Sequence, residues 1–182
     1  MPNTTTDRLV IEAITIRFKA YKEMTEKAFG QISDAQFHQP LDENTNSIAV
    51  IVKHMAGNLR SRFTDFLTSD GEKPDRDRDS EFVDDISDRP ALLAKWNDGW
   101  DCLFDALSQL KDSDLSGTIT IRGEPHSVID ALARQLSHHS YHVGQIVQLA
   151  RFLAKDKWMV LTIPRGGSQQ FNAAMTAKQG KK

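Results

Sequence analysis

The chain has 182 residues, 39% hydrophobic and 26% charged, with a formal net charge of −2. That composition fits one globular domain with a full-sized core, and the charge balance excludes a strongly basic nucleic-acid or membrane-surface binder. No apolar run reaches the about 18 residues of a membrane span, and the lone Cys102 excludes an intrachain disulfide.

Residues 6 to 29 carry apolar side chains at Val10, Ile14, Phe18, Tyr21, Met24 and Ala28, spacings of three and four that predict a first helix ended by Gly30. The start lacks the charged-then-apolar layout of a signal peptide, since Asp7, Arg8 and Glu12 interrupt it. With the single cysteine, this points to a reducing, cytoplasmic setting and no membrane partner. The stretch QISDAQFHQPLDENTNS, broken by Pro40, reads as a loop with at most a short helical turn, and His38 as a loop residue.

A second helix is predicted from about Ser47 to Thr68, capped by Asn46 or Ser47, with Ile48, Val52, Met55, Leu59, Phe63 and Phe66 inward. His54 lies at the edge of that stripe, with Asn58 one turn later and Arg62 a turn beyond. Residues 69 to 89 form a charged connector with turn chemistry at Asp70-Gly71 and Pro74. Asp75, Asp77 and Asp79 alternate as at the start of a calcium loop, but Ser80 and Ile86 stand where that loop needs glycine and glutamate. The connector is long enough to cross the end of a bundle and let two helices run in the same direction. We expect it, together with residues 163–175, to flank the mouth of any pocket at His54.

A third helix runs from about Pro90 to Leu110, with Trp96 and Trp100 on its periodic apolar face. Thr118 to Ile121 and Glu124 to His126, around a glycine turn, read as a small β-hairpin. Then comes the longest pattern, His126 to Leu153, with Ser127 and Asp130 spaced as a capping box and Ile129, Leu132, Leu136, Val143, Ile146, Ala150 and Leu153 as the stripe. His126 reads as a surface residue. Trp158 to Ile163 is a short apolar run, Phe171 to Met175 a last helical turn, and 177–182 a basic, frayed tail. The fold class is therefore all-α, a four-helix bundle with a small β-hairpin before the last long helix, in one domain over 1–176.

The chemistry concentrates on the last long helix, at His138, His139 and His142. His138 and His142 are four apart and share a face, the geometry with which a helix offers two imidazoles to one metal ion. His139 is three before His142, so that pair also satisfies the spacing. His54 is the natural third ligand if the second and fourth helices face each other. Three neutral imidazoles leave positions open for water or substrate, as a catalytic ion requires, and such an ion lowers the pKa of a water or thiol bound to it. The absence of further cysteines argues against a closed structural zinc site.

HHSYHVGQ, from His138 to Gln145, resembles the fourth-helix motif of the DinB/YfiT-like superfamily: histidine, three residues, then histidine followed by X-Gly-Gln. NSIAVIVKHMAGN, from Asn46 to Asn58, resembles the matching second-helix motif, in which one histidine closes the triad. Arg60 to Pro74 and Ile163 to Ser168 resemble an uncharacterised DinB-like branch. The resemblance spans nearly the whole chain. It implies an up-down-down-up bundle, a metal held by His54, His138 and His142, zinc or nickel as the ion, and a homodimer. Characterised relatives include metal-dependent transferases and isomerases that use low-molecular-weight thiols such as bacillithiol or mycothiol. The expected function is a metal-dependent enzyme on a small-molecule substrate, a thiol-dependent S-transferase or a hydrolase. The alternative is a non-catalytic bundle that binds metal or a small molecule. Asn58, Arg62, His139 and Gln145 are expected behind the ligands or on the pocket wall, and no nucleic-acid partner is expected.

Overall fold

A computed structural model describes residues 5–179, which are mostly helical with one small antiparallel hairpin. The long helices are α1 (Thr6–Phe29), α3 (Ile48–Phe63), α4 (Arg89–Gln109) and α5 (Val128–Ala154); α2 (Asp34–Phe37) and α6 (Ser168–Gln179) are shorter. Strands β1 (Thr118–Ile121) and β2 (Glu124–Ser127) pair through Thr118 with Ser127 and Ile121 with Glu124. No helix among the described residues is long and apolar enough to cross a membrane.

The helices begin where the sequence supplies caps. Thr5 accepts from the Arg8 amide, Ser47 from Val50 and Ser127 from Asp130, each satisfying an amide with no partner inside its helix. α3 packs chiefly on α4 and α1 chiefly on α5, while α3–α5 and α1–α4 contacts close the arrangement around one core. Trp96, Trp100, Phe18, Met55, Leu59, Leu103, Leu132 and Ile146 are fully buried there. Gly99 lets α3 and α4 approach closely, since a Cβ on it would sit 3.0 Å from the Ala56 carbonyl oxygen.

Three expectations change in the structure, and the apolar run at 158–163 divides between core and surface. α3 stops at Phe63, five residues short of Thr68. Thr64 turns extended with its hydroxyl on the Arg60 carbonyl (2.7 Å), and Asp65 takes a positive φ of 48°, so Phe66 reaches the core from a turn. Ile129 is 43% exposed, because Val128, Ala131 and Leu132 take the inward face of α5 and Ile129 is rotated about 100° from Val128. Trp158 and Leu161 of the apolar run pack against the core, whereas Met159, Val160 and Ile163 stay exposed. The final helix is longer than one turn: α6 runs on through residues 177–179, where a frayed tail was expected, and 180–182 lie outside the described residues.

The connector is fastened to the hairpin by Asp70, with Glu72 reaching Arg122 beside it. Arg122 (φ 57°) and Gly123 (φ 76°) form the two-residue turn with both φ positive, the geometry that suits the strand twist. Asp70 accepts from the amides of Glu72 (2.7 Å), Arg122 (2.8 Å) and Gly123 (2.8 Å), and the Gly71 amide donates to the Thr120 carbonyl (2.8 Å). The bonds from Glu72 and Gly123, then that from Arg122, hold the Asp70 carboxyl far below its ordinary 3.8. A carboxylate depressed in the folded state stabilises above its unfolded pKa and loses that contribution as pH falls. Urea titrations of wild type from about pH 7 to about pH 3 should therefore show an acid loss that begins near pH 4. Asp70→Asn should cost about 1–2 kcal/mol at neutral pH, a value reduced for its partial exposure, and flatten that part of the acid limb.

Candidate metal centre

α3 and α5 bring His54, His138 and His142 together, with one ring nitrogen of each within 4.8 Å of the others. His54 Nε2 lies 3.3 Å from His138 Nε2, and His142 Nε2 lies 3.1 Å from the same atom. Zinc–imidazole bonds of about 2.0–2.1 Å place neighbouring ligand nitrogens about 2.9 Å apart in an octahedron and about 3.4 Å apart in a tetrahedron. The observed separations fall between those edges, so these three histidines could hold a metal ion.

The outward ring nitrogens set the tautomers. His54 Nδ1 donates to Glu81 Oε2 (2.9 Å). His142 Nδ1 donates to Gln145 Oε1 (2.8 Å), and the same amide donates to the Tyr141 hydroxyl (3.1 Å), which fixes its orientation. With Nδ1 protonated on both rings, both Nε2 lone pairs face His138. A single proton on His138 Nε2 can satisfy only one of them, whereas a cation satisfies all three nitrogens at once. His138 Nδ1, on the far side of its ring, is buried without a protein partner.

Burial lowers the pKa of His138 to about 2, with the neighbouring His139, His142 and His54 acting in the same direction. Burial lowers His142 too, against the hydrogen bond to Gln145. Both rings are therefore neutral at neutral pH, the form in which imidazole binds a metal.

Among the other expected residues, His139 points elsewhere. It is fully buried, its Nδ1 donates to the Gln135 carbonyl (2.8 Å), and its ring packs edge-on against Phe18 and Trp100. Packing thus separates the two pairs that spacing left open: His138 and His142 meet His54, and His139 enters the core. Gln145 stands directly behind His142. Asn58 and Arg62 are 6% and 5% exposed and line a cleft of about 180 Å³ together with His54 and His138. His38 bonds Asp84 (2.8 Å) and His126 bonds Asp130 (2.7 Å), both away from the cluster. Cys102 is half-buried beside a larger cleft of about 570 Å³ between the end of α3 and α4, which contains none of the histidines.

The connector supplies what sequence reasoning missed. Its 3-10 turn, Asp79–Phe82, carries Glu81 under His54 and lays Phe82 against the same ring, 4.8 Å between centroids. Arg76 grips both Glu81 oxygens, at 2.8 and 2.9 Å. Gly57 leaves the room for this, since a Cβ there would overlap the Glu81 carboxylate. The connector therefore reaches the site as expected, but among the described residues none of 163–175 lines the cleft. The only signal in the sequence was an acidic residue following arginines in a charged run, which also describes a solvated loop.

Residues 5–167 match the model of a family described as a protein of unknown function, DUF1572. No curated protein and no solved structure matches the chain.

Proposed function

We propose that this chain, which belongs to the DUF1572 family of proteins of unknown function, is a metal-dependent enzyme whose ion is held by His54, His138 and His142. The observation that carries the reading is the convergence of three imidazole nitrogens within 4.8 Å, with His138 Nε2 at ligand-edge distance from both His54 Nε2 and His142 Nε2, and with those two rings oriented by hydrogen bonds from their far sides. A buried carboxylate on one ligand and an anchored amide on another are what metal sites use to fix imidazole orientation and raise its basicity. Zinc or nickel suits an all-imidazole donor set.

A divalent ion held there supplies Lewis acidity and lowers the pKa of a water or thiol that it binds. The chain's own groups do the rest. Glu81 retains the Nδ1 proton of His54 and Gln145 that of His142, so both rings keep Nε2 for the ion. Asn58 and Gln135 present amides to the cleft for orienting a substrate. Attack of a low-molecular-weight thiol on an electrophile, or hydrolysis, is the reaction class this arrangement serves best. The DinB/YfiT-like motifs on α3 and α5 support that class. With the pairing of α3 on α4 and α1 on α5, they also support an up-down-down-up four-helix bundle and the homodimer that accompanies it.

The test is the metal content of wild-type protein purified without chelating resin. Close to one zinc or nickel per chain is the expected result. A protein that stays metal-free after reloading with either ion would overturn the proposal. Bound metal without any thiol-transfer or hydrolytic turnover would favour the non-catalytic binding bundle instead.

A further inference from the structure

The cleft beside the histidines is ringed by guanidinium groups. Arg62 comes from α3, Arg76 and Arg78 from the connector, Arg122 from the hairpin turn and Arg134 from α5. Four separate segments thus deliver five arginines to one small cavity, and among the described residues no carboxylate lines it. The carboxylates stand behind: Glu81 holds Arg76, and Glu72 holds Arg62 (2.9 Å) and Arg122 (3.0 Å). Arg78 and Arg134 make no ion pair among the described residues. Two carboxylates against five guanidiniums leave the cleft strongly positive, in a chain whose net charge is −2.

A second observation is independent of charge. Arg62 Nε, Asn58 Oδ1, Gln135 Oε1 and His138 Nδ1 are buried without a protein partner, and all four belong to residues that line this cleft. Arg62, Asn58 and Gln135 are each more than nine-tenths buried. Buried polar atoms are nearly always satisfied, and four unsatisfied ones on the residues around one cavity point to a ligand there. Burial depresses Arg62, and the neighbouring Arg76 and Arg122 act in the same direction against Glu72, so a bound anion would relieve the crowding.

We infer that this cleft is the substrate subsite for a compact molecule bearing an oxyanion, a carboxylate or a phosphate-type group. Its charged oxygens sit among Arg62, Arg122 and Arg134, and the rest of the molecule faces His54 and His138. The inference rests on the proposed function in one respect: it takes the cleft as the approach to the triad. Arginine suits the task because its planar fork meets two oxygens at once and stays charged at any relevant pH. The amides of Asn58 and Gln135 then meet a hydroxyl or amide on the same molecule. A cavity of about 180 Å³ is below the range typical of drug-sized ligands, which selects small substrates.

The experiment titrates malonate, methylphosphonate and neutral malonamide, by calorimetry at low salt, into zinc-loaded wild type, Arg134→Ala and the Arg122→Ala/Arg134→Ala double variant. These two arginines have exposed side chains on the rim, and far-ultraviolet circular dichroism checks the folds. At least one oxyanion should bind at one per chain and malonamide should not; the single variant should weaken binding about tenfold and the double variant more. The relative affinity of malonate and methylphosphonate identifies the oxyanion. Failure of both anions to bind overturns the inference, as does equal binding of malonamide. Undiminished binding in the double variant also overturns it, because neither Arg122 nor Arg134 then holds the anion. Zinc content is read on the same samples. Zinc-loaded protein blind to anions sinks this inference and leaves the metal centre standing. Protein that takes up neither zinc nor nickel yet binds anions through its arginines sinks the metal centre and keeps the anion subsite.

Discussion

His142→Ala is expected to abolish stoichiometric metal retention, with affinity for zinc lower by about a hundred- to a thousand-fold. Zinc sites in small domains bind with about 10–16 kcal/mol, so one ligand in four accounts for about 3–4 kcal/mol of that. His138→Ala should behave alike, since its Nε2 touches both partners. Neither change should much harm the metal-free fold. His138 and His142 are half-buried, and removing either relieves the repulsion between lone pairs that face one another. The stability readout is therefore differential. At a zinc concentration a thousand times Kd, wild type should gain about 4 kcal/mol, or roughly 8–16 °C in Tm for a domain of this size. The alanine variants should show almost no zinc-induced shift. His139→Leu is the contrasting case: its ring lies against Phe18 and Trp100, so metal binding should survive even if stability changes. A metal-free His139→Leu, or a metal-replete His142→Ala, would show that the wrong pair had been assigned.

The contrast between those histidines shows what the sequence can carry. A separation of four residues on a helix fixes a shared face whatever surrounds it, so His138 and His142 were legible as a pair. A separation of three satisfies the same rule, and only the core decides between the two. Phe18 arrives from α1 and Trp100 from α4, and neither can be placed against His139 from local periodicity. His54 was legible because a polar residue at the edge of an apolar stripe, aligned with Asn58 and Arg62, had to face something. The long helices were readable for the same reason, each having an apolar stripe and a capping residue. The end of α3 was not, because Phe66 fits the stripe yet reaches the core from a turn with Asp65 at positive φ.

The residues that escaped notice act across the chain. Glu81 lies 27 positions from His54 in a segment whose alternating charges also describe a solvated loop. The arginines of the cleft come from α3, the connector, the hairpin turn and α5, so no window of sequence contains the cluster. Each is ordinary where it stands; the significance arises from Asp70, which pins the connector to the hairpin turn and so brings Arg122 beside Glu72 and Arg62. Folding the connector down serves two ends: it places a carboxylate under His54 and builds a cationic wall beside it. Its length, greater than a helix-to-helix turn requires, is what permits both.

Glu81→Ala should separate these two roles, with a stability loss of about 3 kcal/mol and metal affinity lower by about 10- to 100-fold. Burial would raise the Glu81 pKa, but the bonds from His54 and Arg76, with the charge of Arg76, outweigh it and leave the carboxyl lowered, so it is ionised at neutral pH. Removing it strands Arg76, whose side chain is 5% exposed. Breaking a buried pair usually costs about 3–5 kcal/mol, and the low end applies because Arg76 keeps contacts with Glu72 at 3.4 Å. The same change frees His54 to rotate and removes the acceptor for its Nδ1 proton, which weakens Nε2 as a ligand. Glu81→Ala/Arg76→Met removes the stranded charge and fills its volume. That double variant should regain most of the lost stability in urea titrations while zinc affinity stays low. If affinity returned together with stability, Glu81 would only support the fold around His54. A stable protein with weakened zinc binding would show that the carboxylate positions the ligand itself.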